Sequence, residues 1–320
     1  MGVRLHAWAA WPVLGLAVLL ADSPVSIEPR AKRGGDPSAS PPIRVDATLV
    51  RIPVSVTDPL NRPVTNLDKE NFKVFENKVE QRVVHLARED EPMAVGLVFD
   101  TSGSMKKKLR KSVAAAAEFF KAANPEDEFF LVEFNDHAQL AYPSTASPQE
   151  IQARLALAAG HGRTALLDAI YLGIQQLRKS PKPRKALLIL SDGGDNCSRY
   201  TETEVRNLVK ESDVMIYAIG IFDSSGLRHL FPEEVNGPDL LNDITEGTGG
   251  RLFPIENLND LPEVASKIGL ELRQHYLIEY APSNLQRDGK YHKVQVKVAA
   301  PSGSRALRVA WRPGYYAPLQ

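Results

Sequence analysis

The sequence is poor in the residues that build crosslinked and soft-metal sites. Its 320 residues include one cysteine, Cys197, which excludes an intramolecular disulfide framework, a cysteine-based zinc site and an iron–sulfur cluster. No charge sign is in excess: 39 Lys and Arg stand against 39 Asp and Glu, so nothing electrostatic argues for a nucleic-acid partner. No apolar run is long enough for a multi-span membrane protein. A G-x-x-x-x-G-K-[ST] phosphate loop and a G-x-S-x-G nucleophile elbow are both missing. What is present, 43% hydrophobic and 24% charged residues, is the composition of a globular chain. At about 150 residues per domain, its length suggests roughly two domains.

The first segment has the pattern of a sorting signal. Arg4 and His6 precede a mostly apolar stretch, Ala7 to Ala21, which is interrupted by Pro12 and followed by small and polar residues. Such a stretch falls short of the about 20 residues of a bilayer span, so residues 1–21 read as a cleaved secretory peptide, with an uncleaved anchor as the alternative. No cysteine follows the run to take a lipid. Residues 22–42, with Pro24, Pro29, Pro37, Pro41 and Pro42 among Ser, Gly and charged residues, read as a disordered linker. The expected destination is the periplasm, the cell surface or the medium.

From residue 43 the period changes to two. Val50, Ile52, Val54 and Val56 alternate with Arg51, Pro53, Ser55 and Thr57, as in a strand with one buried face, and Pro53 hints at an edge position. Phe72-Lys73-Val74-Phe75 and Arg82 to Leu86 predict two more strands around a polar turn at Glu76 to Lys78. So few strands do not close a core alone. Three further candidates, Tyr276–Tyr280, Tyr291–Val298 and Ala306–Trp311, lie at the other end of the chain. Residues 43–90 and 275–316 are therefore expected to pack as one small β-sandwich with a second domain, 91–274, inserted between them. Two separate β-ribbons packed on that domain are the alternative.

Residues 91–274 alternate strands and helices. Ala94 to Phe99 and Ala186 to Leu190 are continuous apolar runs, as expected of strands covered on both faces. Phe129–Phe134, Gln139–Tyr142, Val214–Ile219 and Arg251–Phe253 supply the other strands. Apolar residues at three- and four-residue spacing predict helices beginning near Met105, Ile151, Leu166, Glu202 and Leu258. Repeated β-then-α units with buried strands imply an α/β fold, a doubly wound and mostly parallel sheet. Ligands of such sheets bind beyond the carboxyl ends of the strands.

The loops at those ends are rich in oxygen donors. After the first buried strand comes Asp100-Thr101-Ser102-Gly103-Ser104, and after the later one Ser191-Asp192-Gly193-Gly194-Asp195-Asn196. Between them, Gly160-His161-Gly162-Arg163-Thr164 places a hydroxyl just ahead of a helix. Carboxylates and hydroxyls without sulfur or an imidazole cluster make a hard-oxygen site suited to Mg²⁺ or Mn²⁺.

Asp100-x-Ser102-x-Ser104, Thr164 in Gly-Arg-Thr-Ala-Leu-Leu-Asp, and Asp192 in Leu-Ser-Asp-Gly-Gly-Asp-Asn match in order and context the metal-ion-dependent adhesion site of von Willebrand factor type A (VWA) domains. The chain resembles that family over residues 91–274. Asn71-Phe72-Lys73-Val74-Phe75-Glu76-Asn77 ahead of that region and Gly314-Tyr315-Tyr316-Ala317 after it resemble exported bacterial proteins of VWFA-related type. The resemblance implies a VWA, Rossmann-like fold. It also implies that Ser102 and Ser104 coordinate a metal directly, that Thr164 does so directly or through water, and that Asp100 and Asp192 hold metal-bound waters. Mg²⁺ is the implied ion, with Mn²⁺ or Ca²⁺ as substitutes, and the open position would accept an Asp or Glu carboxylate from a partner protein. The implied function is non-enzymatic: metal-dependent adhesion or protein recognition, with a structural or assembly subunit of an envelope complex as the alternative.

Other readings of the same residues remain beside this one. Asp-Thr-Ser-Gly-Ser alone is also a helix-capping turn, and Asp195 competes with Asp192 as the carboxylate of its loop. Asp168 reads as a helix-surface or supporting group, His161 as rim and Cys197 as an inert small residue. Lys106 to Lys111 reads as a solvated helix face, or else as a patch that steers an acidic partner. A phosphotransferase using Asp100 would be expected to carry a carboxylate two residues on, where Ser102 stands. A Mg²⁺-dependent hydrolase is thus the weakest reading.

Overall fold

The computed structural model describes residues 49–89, 91–222, 232–284, 288–300 and 306–318. The expected leader and linker, residues 1–21 and 22–42, lie outside these. The period-two pattern becomes strand β1 (Val50–Thr57), which buries Ile52, Val54 and Val56 and exposes Arg51. Strands β2 (Phe72–Glu76) and β3 (Val79–Gln81) form a hairpin. Its two-residue turn holds Asn77 and Lys78 at φ 48° and 72°, the positive values that match the twist of a tight hairpin. After a break at Arg82 the chain continues as β4 (Val83–Glu89) in a different sheet from β3.

The middle of the chain follows the expected alternation. Strand β5 (Met93–Asp100) precedes helix α1 (Leu109–Phe120), then β6 (Glu128–Phe134), β7 (Ala138–Thr145), α2 (Pro148–Leu155) and α3 (Leu166–Lys179). Next come β8 (Arg184–Ser191), α4 (Glu202–Glu211), β9 (Met215–Ile221), α5 (Pro232–Thr245), β10 (Leu252–Ile255) and α6 (Leu261–Arg273). The six strands lie in the order β10-β9-β8-β5-β6-β7, all parallel except the antiparallel β6–β7 pair. Every residue of β5 is buried because an apolar layer covers each face. On one side Leu97, Phe99, Leu188 and Leu190 pack with Phe119, Ile151 and Ile268, and on the other Val98, Leu187 and Ile189 pack with Ile170, Ile174 and Leu241. At about 1.5–3 kcal/mol for each fully buried aliphatic side chain, these layers dominate the stability of the sheet.

Helix α5 was not expected from the sequence, since Gly237 and Pro238 interrupt its pattern. The other helices fall where the spacing places them, although α1 starts at Leu109, leaving Met105 in the turns before it.

The last strands are β11 (His275–Tyr280), β12 (Tyr291–Val298), β13 (Arg308–Trp311) and the short β14 (Gly314–Tyr316). Two four-stranded sheets result, β13-β1-β11-β4 and β14-β12-β2-β3, each combining strands from both ends of the chain. Ile52, Val54, Phe72, Val74, Tyr276, Ile278, Val294 and Val296 form the core between them. The edge position suggested by Pro53 is corrected, because β1 is an inner strand. Pairing with β13 begins only at Val54, so at Pro53 the strand is flanked by β11 alone and the missing N–H is tolerated.

A buried polar clamp joins β1 to the central sheet. Glu271 of α6, 1% exposed, accepts the Ser55 hydroxyl of β1 at 2.7 Å and the Tyr217 hydroxyl of β9 at 3.1 Å on Oε1, and Arg251 at 2.6 Å on Oε2.

Candidate metal centre

The parallel pairing of β5 with β8 sets the geometry of the site, because it brings the ends of the two strands side by side. Asp100, the last residue of β5, is fully buried. Its Oδ1 accepts the Ser102 N–H at 2.8 Å and its Oδ2 accepts the hydroxyl of Ser191, the last residue of β8, at 2.6 Å. Asp192, 6% exposed, follows directly. Ser102 Oγ lies 3.1 Å from Ser104 Oγ, and because Ser102 is buried and Ser104 exposed, this hydroxyl pair runs from the interior to the surface.

The third loop is laced to the other two. Gly103 donates its N–H to Gly162 O at 3.0 Å and His161 donates its backbone N–H to Thr101 O at 2.9 Å. Thr164 is buried, its N–H bound to Asn196 Oδ1 at 2.9 Å and its carbonyl accepting the Asn196 N–H at 3.0 Å. The turn ahead of it rests on Asp136, which accepts the Arg163 N–H at 2.9 Å. Gly162 has φ +76° and a Cβ there would stand 2.3 Å from Asp136 Oδ2, so only glycine fits. The three loops named in the sequence thus converge, bringing Asp100, Ser102, Ser104, Thr164 and Asp192 to one end of the sheet.

Burial, and then the charge of Asp192, push the Asp100 carboxyl up to about 7 against the hydrogen bonds from Ser102 and Ser191. Two carboxylates in a desolvated setting are relieved by a proton or by a cation beside them. Part of that need is met from within the chain. Lys108 Nζ lies 3.0 Å from Asp192 Oδ2 and 3.2 Å from Ile221 O, with its side chain only 12% exposed. The reading of the basic run as a solvated face therefore holds for Lys106, Lys107 and Arg110, which are exposed, and is corrected for Lys108.

The remaining candidates have other work. Asp195 Oδ1 accepts the Leu167 N–H at 3.1 Å and the Ser198 hydroxyl at 2.5 Å, and so serves the start of α3. Asp168 Oδ1 accepts the N–H groups of Arg199 and Tyr200 at 2.8 and 3.1 Å. His161 is exposed at the rim, with Nε2 3.2 Å from Asn135 Nδ2. Burial raises the Cys197 thiol above its ordinary value, which leaves it little thiolate character.

Sequence reasoning missed Lys108, Ser191, Asn196 and Asp136. Nothing in the composition of Lys106-Lys107-Lys108 singles out the third lysine. Ser191 and Asn196 do flank the acidic loop, where a hydroxyl and an amide ready to bind backbone are a usable signal. Among the described residues no group of three or more His, Cys, Asp or Glu is placed to hold a metal. The five side chains on the converging loops carry two carboxylates and three hydroxyls, a hard-oxygen set of the kind that suits Mg²⁺, Mn²⁺ or Ca²⁺.

The sequence matches the von Willebrand factor type A domain over residues 95–267, more than half of the chain. It is 29% identical over 146 residues to the inter-alpha-trypsin inhibitor heavy chain 4 of Mus musculus, covering 41% of this chain and 16% of that protein. It is 23% identical over 195 residues to an uncharacterized protein of Borreliella burgdorferi, covering 55% of this chain and 57% of that protein. The chain thus spans less than two thirds of the length of either relative. Among solved structures it is similar to a von Willebrand factor type A protein from Catenulispora acidiphila, with 12% identity, TM-score 0.47 and coverage of 86% of this chain and 75% of the other. The PilB minor pilin from Streptococcus sanguinis gives 19% identity, TM-score 0.46 and coverage of 58% and 62%. The sequence match over residues 95–267 establishes that the chain belongs to the von Willebrand factor type A domain family, whose members typically mediate protein–protein interaction or adhesion.

Proposed function

We propose that this chain is the metal-dependent recognition module of an exported protein. Asp100, Ser102, Ser104, Thr164 and Asp192 would hold Mg²⁺, with Mn²⁺ or Ca²⁺ as substitutes. The observation that carries this reading is the convergence of three loops that place the buried Asp100 and Asp192 beside the Ser102–Ser104 hydroxyl pair. When bound, the ion supplies Lewis acidity toward an incoming anion, and a set with few direct carboxylates conserves it. Ser104, exposed at the mouth, and the rim around His161 and Arg163 would meet a partner protein whose Asp or Glu carboxylate completes the site. This is capture without turnover. Export rests on the apolar leader in the sequence, and among the described residues no helix is long and apolar enough to cross a membrane. In the same proposal, residues 91–274 are the recognition domain and residues 43–90 with 275–316 its β-sandwich mount.

The test is a pull-down from envelope and culture fractions with wild type and Asp100→Ala, each in Mg²⁺ or EDTA. A partner retained by wild type in Mg²⁺ and lost in the other three arms supports the proposal. The same partners in all four arms would overturn it in favour of a chelation-resistant assembly role.

A further inference from the structure

Lys108 is in an unusual place for a lysine. It is the residue immediately ahead of α1, and the first turn of that helix carries no acidic side chain. An ammonium is disfavoured at the positive end of a helix, and a lysine side chain that is 12% exposed has given up most of its hydration. Both costs are offset by one set of partners, Asp192 Oδ2 at 3.0 Å and the Ile221 carbonyl at 3.2 Å. Behind Asp192 lies Asp100, whose carboxyl is bound to Ser102 and Ser191 and has no basic side chain bonded to it among the described residues. The ammonium thus stands against one carboxylate of a two-carboxylate site, between Asp192 and the end of β9.

We propose that Lys108 is a built-in counter-ion of this site: it neutralises Asp192 when no metal is bound and lowers the affinity of the five oxygen donors for a divalent ion. The inference rests on the metal reading above and adds a regulatory element to it. With both carboxyls ionised and no lysine, the site would carry a charge of −2, which draws a divalent cation strongly and leaves like charges facing each other when the ion departs, to be relieved only by a proton. With Lys108 the ionised site stands at −1, so the metal-free protein is stabilised and the bound ion feels a nearby positive charge. The device favours reversible loading over permanent occupancy, because what strengthens the empty state weakens the filled one.

The experiment is a Mn²⁺ titration of the full chain, with free ion read by electron paramagnetic resonance at one fixed pH and ionic strength. It compares wild type, Lys108→Met, Lys108→Arg and Asp100→Ala, alongside thermal melts with and without Mn²⁺. Removing one unit charge beside a divalent ion, discounted for salt screening, is expected to tighten Mn²⁺ binding about tenfold in Lys108→Met. Lys108→Arg should remain close to wild type. Without metal Lys108→Met should melt below wild type, and on adding Mn²⁺ it should gain more. If Lys108→Met does not fold, Lys108→Gln, which still donates to Asp192, carries the same expectation. Wild type that binds Mn²⁺ while the uncharged variant binds no more tightly overturns the counter-ion role and leaves the metal site standing. No binding in any protein removes both.

Discussion

The Glu271 clamp is open to a quantitative test. Its carboxylate takes three donors from three separate stretches of chain, Ser55 and Tyr217 on one oxygen and Arg251 on the other. Glu271→Gln keeps the shape. The amide oxygen turns to Arg251 and the amide nitrogen to the two hydroxyls, which accept as readily as they donate. Only the charge reinforcement is lost: the Arg251 bond stays charge-assisted from the guanidinium side, and the two hydroxyl bonds lose about 1 kcal/mol each, so a loss of about 2 kcal/mol is expected. Glu271→Leu removes every acceptor. Arg251 keeps Asn61 Oδ1 at 2.9 Å and the Phe253 ring at 4.3 Å, but the Ser55 hydroxyl loses its acceptor and the Tyr217 hydroxyl keeps only His275 Nε2 at 3.4 Å. Breaking one side of a buried pair costs about 3–5 kcal/mol. At about 2–4 °C per kcal/mol for a chain of this size, the leucine variant should melt about 10 °C lower and the glutamine variant about 4 °C lower. Urea unfolding with unchanged m-values gives the free energies directly. A leucine variant within about 1 kcal/mol of wild type, or a glutamine variant as costly as leucine, would refute the assignment of the clamp's strength to its charge.

Three further outcomes follow from the same packing. Buried His275 is pulled down to about 3, first by desolvation and then by the Arg184 charge. Its unfolded form takes up a proton near 6.5, so the stability it contributes is complete above 6.5 and is lost as pH falls from there toward 3. Between pH 6.5 and 4 the unfolding free energy should fall by up to about 1.4 kcal/mol per pH unit more in wild type than in His275→Gln, and parallel pH profiles would count against this. Gly193→Ala sets a side chain at φ +83° and 2.7 Å from the Gly237 backbone. A loss of at least about 2 kcal/mol and a displaced Asp192 loop are expected in urea unfolding and in amide exchange of that loop. Saturating Mg²⁺, at about a hundred times its dissociation constant, should stabilise wild type by about 2.7 kcal/mol in a thermal-shift assay and leave Asp100→Ala unmoved.

The elements that can be read from sequence are those whose local signal agrees with their surroundings. The run Ala94 to Phe99 identified a strand covered on both faces, and β5 is buried throughout. The alternation from Val50 identified the buried face of β1. Helix α5 escaped because Gly237, which allows the close approach to Gly193, and Pro238 break the periodic signal where tertiary packing overrides propensity. The short β14 escaped because Gly314-Tyr315-Tyr316 carries no alternation. In the site, hydroxyls and carboxylates at strand ends are conspicuous in a linear text. Lys108 is not, because a partner 84 residues away selects it from among identical neighbours.

The strands that lead into and out of the central sheet also set how the molecule carries load. Glu89, at the end of β4, pairs with His275, at the start of β11, so residues 93–273 leave and rejoin the sandwich at adjacent positions. A pull on the face that carries Asp100 and Asp192 reaches both strands at the same end and draws them together without sliding one past the other. With the chain held from the Val50 end of β1, the tension would pass from β11 to β1 along the register from Tyr276↔Val54 to Tyr280↔Val50. That antiparallel ladder would then be loaded lengthwise, so its hydrogen bonds would resist together and not open one at a time. On the proposed function, a recognition surface mounted in this way would hold a partner against traction, with the first yielding expected at the contact and not in the mount.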